Sequence, residues 1–224
     1  MSSHGPGETG TAPAAAGGRP IDAAAAVRAW SRIGDAAIRH DVVGALEALL
    51  AGNRRFVAGT PAPRDLHGER AALVSGQKPA AAVLACSDSR IAVEDAFDAP
   101  LGTVFGVRTA GGALDAAVLG SIEFAAASLG VRLIVVLGHE ACGAVSAALG
   151  DETPAGALGA LIAQLREHTA GAHGHEAAVR ACAVATARHI VAGSPLLRAA
   201  FEGGRLAIVP AFYWLADGRV ELIA

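Results

Sequence analysis

The sequence predicts an α/β protein: a mostly parallel central sheet flanked by helices, with an antiparallel edge strand and an N-terminal helical arm. Three observations lead there. Short apolar runs alternate with longer stretches of helical character, which is the order of βαβ units. The runs are apolar at consecutive positions, as strands buried on both faces are. The last run follows Asp217-Gly218, a hairpin signal that turns the chain back along its neighbour.

In chain order, residues 1–20 hold Gly, Pro, Ala, Ser and Thr with almost nothing to bury, so a disordered tail is expected. Gly5, Gly7 and Gly10 there match a dinucleotide-binding fingerprint, but no strand precedes them and no helix follows, so the match is read as chance. Residues 21–41 form the arm. Within it 22–39 reads as one Ala-rich helix capped by Asp22, with Trp30, Ile33 and Ala37 on one face for packing against the body or a partner subunit. A docking peptide for a larger assembly is the alternative use of that face. Residues 42–224 form the main domain, opening with a helix over 42–58. Strands are expected at Ala80–Ala85, Val104–Val107, Leu133–Leu137, Leu206–Val209 and Val220–Ile223. Helices are expected at Leu114–Leu129, stopped by Gly130, and at 141–149, 155–168 and 175–192.

Composition narrows the function. The 224 residues suit one domain, and 53% hydrophobic against 17% charged residues permits a large core. A net charge of −3 and 4% aromatics leave neither a basic face nor stacking platforms, so no nucleic-acid partner is expected. No uncharged apolar run is long enough for a membrane span. Arg28, Arg32 and Asp35 follow Ala23–Ala26 too soon for a secretory segment. The expected address is the cytoplasm, where Cys86, Cys142 and Cys182 stay reduced and serve as ligands, nucleophiles or small apolar residues.

Two expected strands end in residues that carry chemistry. One runs into Cys86-Ser87-Asp88-Ser89-Arg90, the other into Gly138-His139-Glu140-Ala141-Cys142-Gly143. Functional crevices of open α/β sheets lie outside the carboxyl ends of the strands. His139 and Cys142 are three apart at a helix start, where they share a face and where a thiolate is favoured. With Cys86 from the neighbouring strand they form a borderline-soft donor set for Zn²⁺, with a fourth position open as in catalytic zinc sites. Asp88 lies close enough to act as a hydrogen-bond acceptor or fourth ligand. Arg90 offers a planar fork that holds its carboxylate and lowers its pKa. Cys182, inside an Ala-rich helix, reads as a small apolar side chain. His168, His173 and His175 read as a solvated helix–loop cluster. His139-Glu140 does not continue as a zincin, because position 143 is Gly, and Cys86-x3-Arg90 is too short for a phosphatase loop.

The ordered set of motifs resembles the β-class carbonic anhydrases over about residues 42–223. Cys86-Ser87-Asp88-Ser89-Arg90 is similar to that family's first signature. Val136-Leu137-Gly138-His139 with Cys142-Gly143-Ala144-Val145 resembles its second. Gly52-Asn53-Arg54-Arg55-Phe56, Val107-Arg108-Thr109-Ala110-Gly111 and Ser121-Ile122-Glu123-Phe124 match between and before them. The resemblance implies reversible hydration of CO₂ to bicarbonate and a proton by a zinc-bound hydroxide. It implies Zn²⁺ on Cys86, His139 and Cys142, Asp88–Arg90 as catalytic dyad, and a homodimer or tetramer. Gln77 falls where many members bind substrate, and Phe105 and Phe124 where the apolar CO₂ pocket is lined, partly from the partner subunit. Val83 replaces the Trp of members with an allosteric bicarbonate site, which implies the directly active subtype. The chain departs from the pattern at Glu140, usually small and polar, at Gly112, Phe124 and Pro210, and in its long arm. A zinc hydrolase of carbonyl sulfide or carbon disulfide would use the same ligands. A non-catalytic zinc-stabilised scaffold would need the ligands but not the Asp88–Arg90 pair.

Overall fold

A computed structural model describes residues 21–223; the expected tail with Gly5, Gly7 and Gly10 lies outside the described residues. Five strands form one sheet: β1 Ala81–Cys86, β2 Val104–Thr109, β3 Leu133–His139, β4 Ala207–Tyr213 and β5 Val220–Leu222. Their order is β2-β1-β3-β4-β5, with the first four parallel and β5 antiparallel to β4. The α/β architecture, the parallel core and the antiparallel edge are as the sequence predicts.

Every residue of β1 and β4 is buried, yet alternation persists underneath, because side chains leave opposite faces at period two. Ala81, Val83, Ala85, Leu133, Val135 and Leu137 pack on one face with α1 Ala23–Ala29 and α2 Ala36–Val57. Ala82, Leu84, Ile134 and Val136 pack on the other with α5 Ala116–Ala127, α8 His175–Gly193 and α9 Pro195–Glu202. Helices α6 Gly143–Leu149 and α7 Gly156–His168 join α8 in a third apolar cluster beside the ligand motifs. Two short helices, α3 Leu66–Ala72 and α4 Val93–Ala96, complete the set.

The single helix expected over 22–39 is two. Asp22 caps α1 as predicted, its carboxylate accepting from Ala25 N–H, but α1 ends at Ala29. Trp30 then donates its indole N–H to the Ile223 carbonyl at 2.8 Å, and its own carbonyl accepts from Ile208 N–H. Ser31 forms a bridge with Ala207, so the chain runs briefly as an extended segment across the start of β4. A second cap, Asp35, accepts from Ile38 N–H and starts α2, which continues through residue 42. Trp30 and Ala37 therefore do not share a helical face, and Trp30 packs on the body of the same chain. Alanine propensity favours a continuous helix, but contacts with β4 and β5 outweigh it. Helices α3, α4 and α9 are absent from the sequence reading; Ser194 with Pro195, a cap followed by proline at the first helical position, is the signal for α9.

From β1 the chain goes outward to β2, returns past β1 to β3 and continues to β4. The reversal lies between β1 and β3, so their carboxyl ends flank the switch point at which such sheets open a crevice.

Candidate metal centre

Cys86 is the last residue of β1 and His139 the last of β3, and Ala85 pairs with Leu137 across the switch point. Cys142 is the N-cap of α6. All three side chains are buried, and their donor atoms lie within 4.8 Å of one another. The two sulfurs are 4.0 Å apart. Tetrahedral bonds of about 2.3 Å from one zinc place two sulfurs roughly 3.8 Å apart, so little movement is needed for them to share an ion.

The histidine supplies the decisive observation. His139 Nδ1–H donates to the Glu140 carbonyl at 2.8 Å, which leaves Nε2 as a bare acceptor. Among the described residues, Nε2 is the only buried side-chain nitrogen or oxygen without a hydrogen-bond partner. It points toward the two thiols. An orphaned lone pair between two sulfurs fits a soft divalent cation. The thiols split accordingly. The hydrogen bond from Cys142, and after it the Gly111 N–H (3.2 Å to Sγ), draw the Cys86 thiol down against its burial. Cys142 is pushed up by its bond to the Cys86 sulfur and by burial.

Asp88 sits at the open side of this corner. Its Oδ1 accepts from Arg90 Nε at 2.9 Å and its Oδ2 from Arg90 Nη2 at 2.6 Å, the bidentate fork expected from sequence. Arg90 N–H adds a third bond to Oδ1 at 2.9 Å. These bonds hold the Asp88 carboxyl well below the usual carboxylate range. Oδ2 is 3.9 Å from His139 Nε2, beside the space a metal would take. Arg90 Nη2 also reaches the Ala141 carbonyl at 3.0 Å, tying the dyad to the ligand loop.

The sequence reading misses two supports. Arg108, on β2, donates to the carbonyls of Cys86 and Asp88 and fixes the first signature from below. Gly111 bends the chain with φ 66° so that its N–H meets the Cys86 sulfur, and a Cβ there would lie 2.6 Å from Leu165. The Val-Arg-Thr-Ala-Gly run is the available signal for both.

Gln77, Phe105 and Phe124 are not gathered with the ligands in a single chain. Gln77 is exposed and precedes β1, whose residues carry the chain about 3.3 Å each toward the other end. Phe105 pairs with Ala82, whereas the ligand level is Cys86 with Thr109. Phe124 is 50% exposed, and its ring centroid lies 6.3 Å from that of Phe105. The cavity touching all three ligands holds only about 10 Å³, the scale of one water, and none of these three residues lines it.

Of the expected solvated histidines, only His173 is exposed. His168 is buried, with Nε2 2.7 Å from His189 Nδ1 and Nδ1 3.2 Å from Thr186 Oγ1. It lies one turn beyond Leu165 on the inward face of α7, and burial on that face overrides its polarity. His175 Nε2 meets Ser146 Oγ and the Cys142 carbonyl. Cys182 is buried as expected, and burial pushes its thiol up to about 11.

Comparison with known proteins agrees with this geometry. Residues 81–220 match the family model described as carbonic anhydrase. Carbonic anhydrase 2 of Mycobacterium tuberculosis is 43% identical over 199 residues, covering 80% of this chain and 92% of the relative. The chain belongs to the β-carbonic anhydrase family. A β-carbonic anhydrase from Coccomyxa, solved with acetazolamide, superposes with a TM-score of 0.64 at 25% identity over 80% of this chain and 86% of its own. One of two tetrameric β-carbonic anhydrases from Sordaria macrospora gives 0.61 at 26% identity, over 81% and 98%. The family accounts for the fold and for a metal-dependent lyase, and among the described residues no helix is long and apolar enough to cross a membrane.

Proposed function

We propose that the chain catalyses CO₂ + H₂O ⇌ HCO₃⁻ + H⁺ at a Zn²⁺ held by Cys86, His139 and Cys142. One observation carries the reading: a buried sulfur–nitrogen–sulfur donor set with an orphaned imidazole nitrogen, faced at 3.9 Å by a carboxylate that Arg90 keeps ionised. A bound zinc supplies Lewis acidity that brings water at its open position toward a pKa of about 7, the value known for carbonic anhydrases with three-histidine zinc sites.

The chain's own residues do the rest. Asp88, unable to take up a proton at neutral pH, accepts the hydrogen of the attacking oxygen and turns its lone pair to the substrate carbon. Arg90 fixes that carboxylate in one orientation through two parallel bonds. Gly111 N–H and Arg108 hold Cys86 and Asp88 at fixed separation. Gln77, Phe105 and Phe124 complete the substrate site: an amide donor for the oxygen on which charge develops, and an apolar wall for CO₂. They reach it from a second copy of the chain, since one chain leaves them on the β2 edge and ahead of β1. A homodimer is thus the smallest complete unit, and a tetramer, the state of the Sordaria proteins, is compatible with it. The cytoplasm suits three free thiols.

The test is stopped-flow CO₂ hydration with metal content measured on the same sample. Zinc near one per chain and rapid hydration support the reading. Bound zinc with turnover of carbonyl sulfide or carbon disulfide but not CO₂ replaces the substrate. Bound zinc with no turnover of any of them reduces the site to a scaffold.

A further inference from the structure

Glu140 stands between the first and last ligands of the second signature, and the substrate chemistry gives it no part. Only Glu140, Ala141 and Cys142 separate the end of β3 from the start of α6, so the chain must reverse within them for His139 and Cys142 to face one point. It does so at Ala141, with φ 51°, a left-handed conformation that costs an alanine energy and a glycine almost none. Something outside the turn must hold it there.

The contacts are specific. Glu140 N–H continues the sheet ladder to the Tyr213 carbonyl at 2.8 Å. Its side chain then crosses to the β4–β5 connection, where Oε2 accepts from Ala216 N–H at 3.0 Å. Its carbonyl takes the His139 Nδ1–H at 2.8 Å. That last bond sets the imidazole tautomer and leaves Nε2 free. The Glu140–Ala141 peptide plane, and with it that carbonyl, turns as Ala141 leaves the left-handed region. Fixing Glu140 on both its backbone and its side chain therefore fixes the plane that orients the ligand.

We propose that Glu140 is a positioning residue for the metal centre: latched to Ala216, it holds Ala141 left-handed and so keeps His139 and Cys142 aimed at the same ion. This rests on the zinc reading above. The β4–β5 turn becomes part of the metal site through one carboxylate. Outer partners of metal ligands typically govern affinity by about 10–100-fold.

The test measures zinc transfer from the full-length holoprotein to a chromophoric chelator, with zinc Kd by competition and thermal melts of the metal-free proteins. Glu140→Ala should release zinc about tenfold faster and bind it about tenfold more weakly. Glu140→Gln keeps an acceptor for Ala216 N–H and should stay close to the parent, which separates geometry from charge. Ala141→Gly placed in the Glu140→Ala background should recover most of the loss, because glycine needs no latch at positive φ. A purely structural role would lower the melting temperature and leave zinc release unmoved. Glu140→Ala that holds zinc as the parent does overturns the latch. So does a loss that is equal in Glu140→Gln and unrelieved by Ala141→Gly. A parent that binds no zinc overturns the metal assignment, and the latch falls with it.

Discussion

The carboxyl ends of β1 and β3 differ sharply from the surroundings of Gln77, Phe105 and Phe124. At the strand ends, three donors converge within 4.8 Å, a carboxylate is clamped by two guanidinium bonds, and backbone groups orient His139 and Cys86. Away from them, Gln77 is exposed ahead of β1, and Phe124 is half-exposed beside Phe105. Exposed aromatic area of this kind favours association with a second surface. The first region is gathered within one protomer; the second is not.

Four experiments break or sharpen that contrast. The largest effect belongs to Cys142→Ser, expected to take zinc from about one per chain to nearly none and turnover to background; stoichiometric zinc in that variant would remove Cys142 from the ligand set. Asp88→Asn comes next. It should keep the metal and lose about 10³-fold in kcat/KM, as the acceptor disappears while the ligands stay. A zinc-loaded Asp88→Asn enzyme at parental rate would strip the dyad of its role. Gln77→Ala should cost roughly 100-fold in kcat with zinc retained. Mixing it with Asp88→Asn chains should restore part of the activity, because one mixed site then has both an intact dyad and an intact amide. No recovery on mixing, with subunit exchange verified, would return Gln77 to its own chain.

The smallest effect concerns His168, one turn beyond Leu165 on the face of α7 that packs toward the ligands. Burial, then the facing His189, push His168 below the ordinary histidine pKa, while Glu167 pulls weakly the other way. The unfolded chain therefore binds the extra proton first. Stability is full above about pH 6.5 and declines as pH falls from there toward the lower folded value. Melting temperatures of the parent should drop more steeply from about pH 7 to 5 than those of His168→Gln. Parallel curves would show that this histidine does not couple to folding.

Much of the ligand corner is readable from sequence because its information is local. Cys86-x-Asp88-x-Arg90 and His139-x2-Cys142 each lie within one short segment, at a strand end whose apolar run marks itself. Their meeting follows from adjacent parallel strands. Arg108, the Gly111 N–H and the Glu140–Ala216 contact are not readable as supports, since each joins segments far apart in sequence through a backbone atom that carries no residue signature. His168 escapes for a related reason: a histidine in a polar stretch looks solvated until the helix is rotated and its inward face is known. The break at Trp30–Gly34 has a local signal, Gly34 before Asp35, but alanine propensity masks it.

The sequence by itself determined the strand and helix alternation, the candidate donor set and the Asp88–Arg90 pairing, because apolar runs and short motifs act through neighbours a few residues away. Only the tertiary structure decided which end of the sheet each residue occupies, which histidine nitrogen is left without a partner and which backbone N–H meets the Glu140 carboxylate. Those outcomes depend on groups brought together across the sheet, where burial and a single hydrogen bond outweigh intrinsic preference.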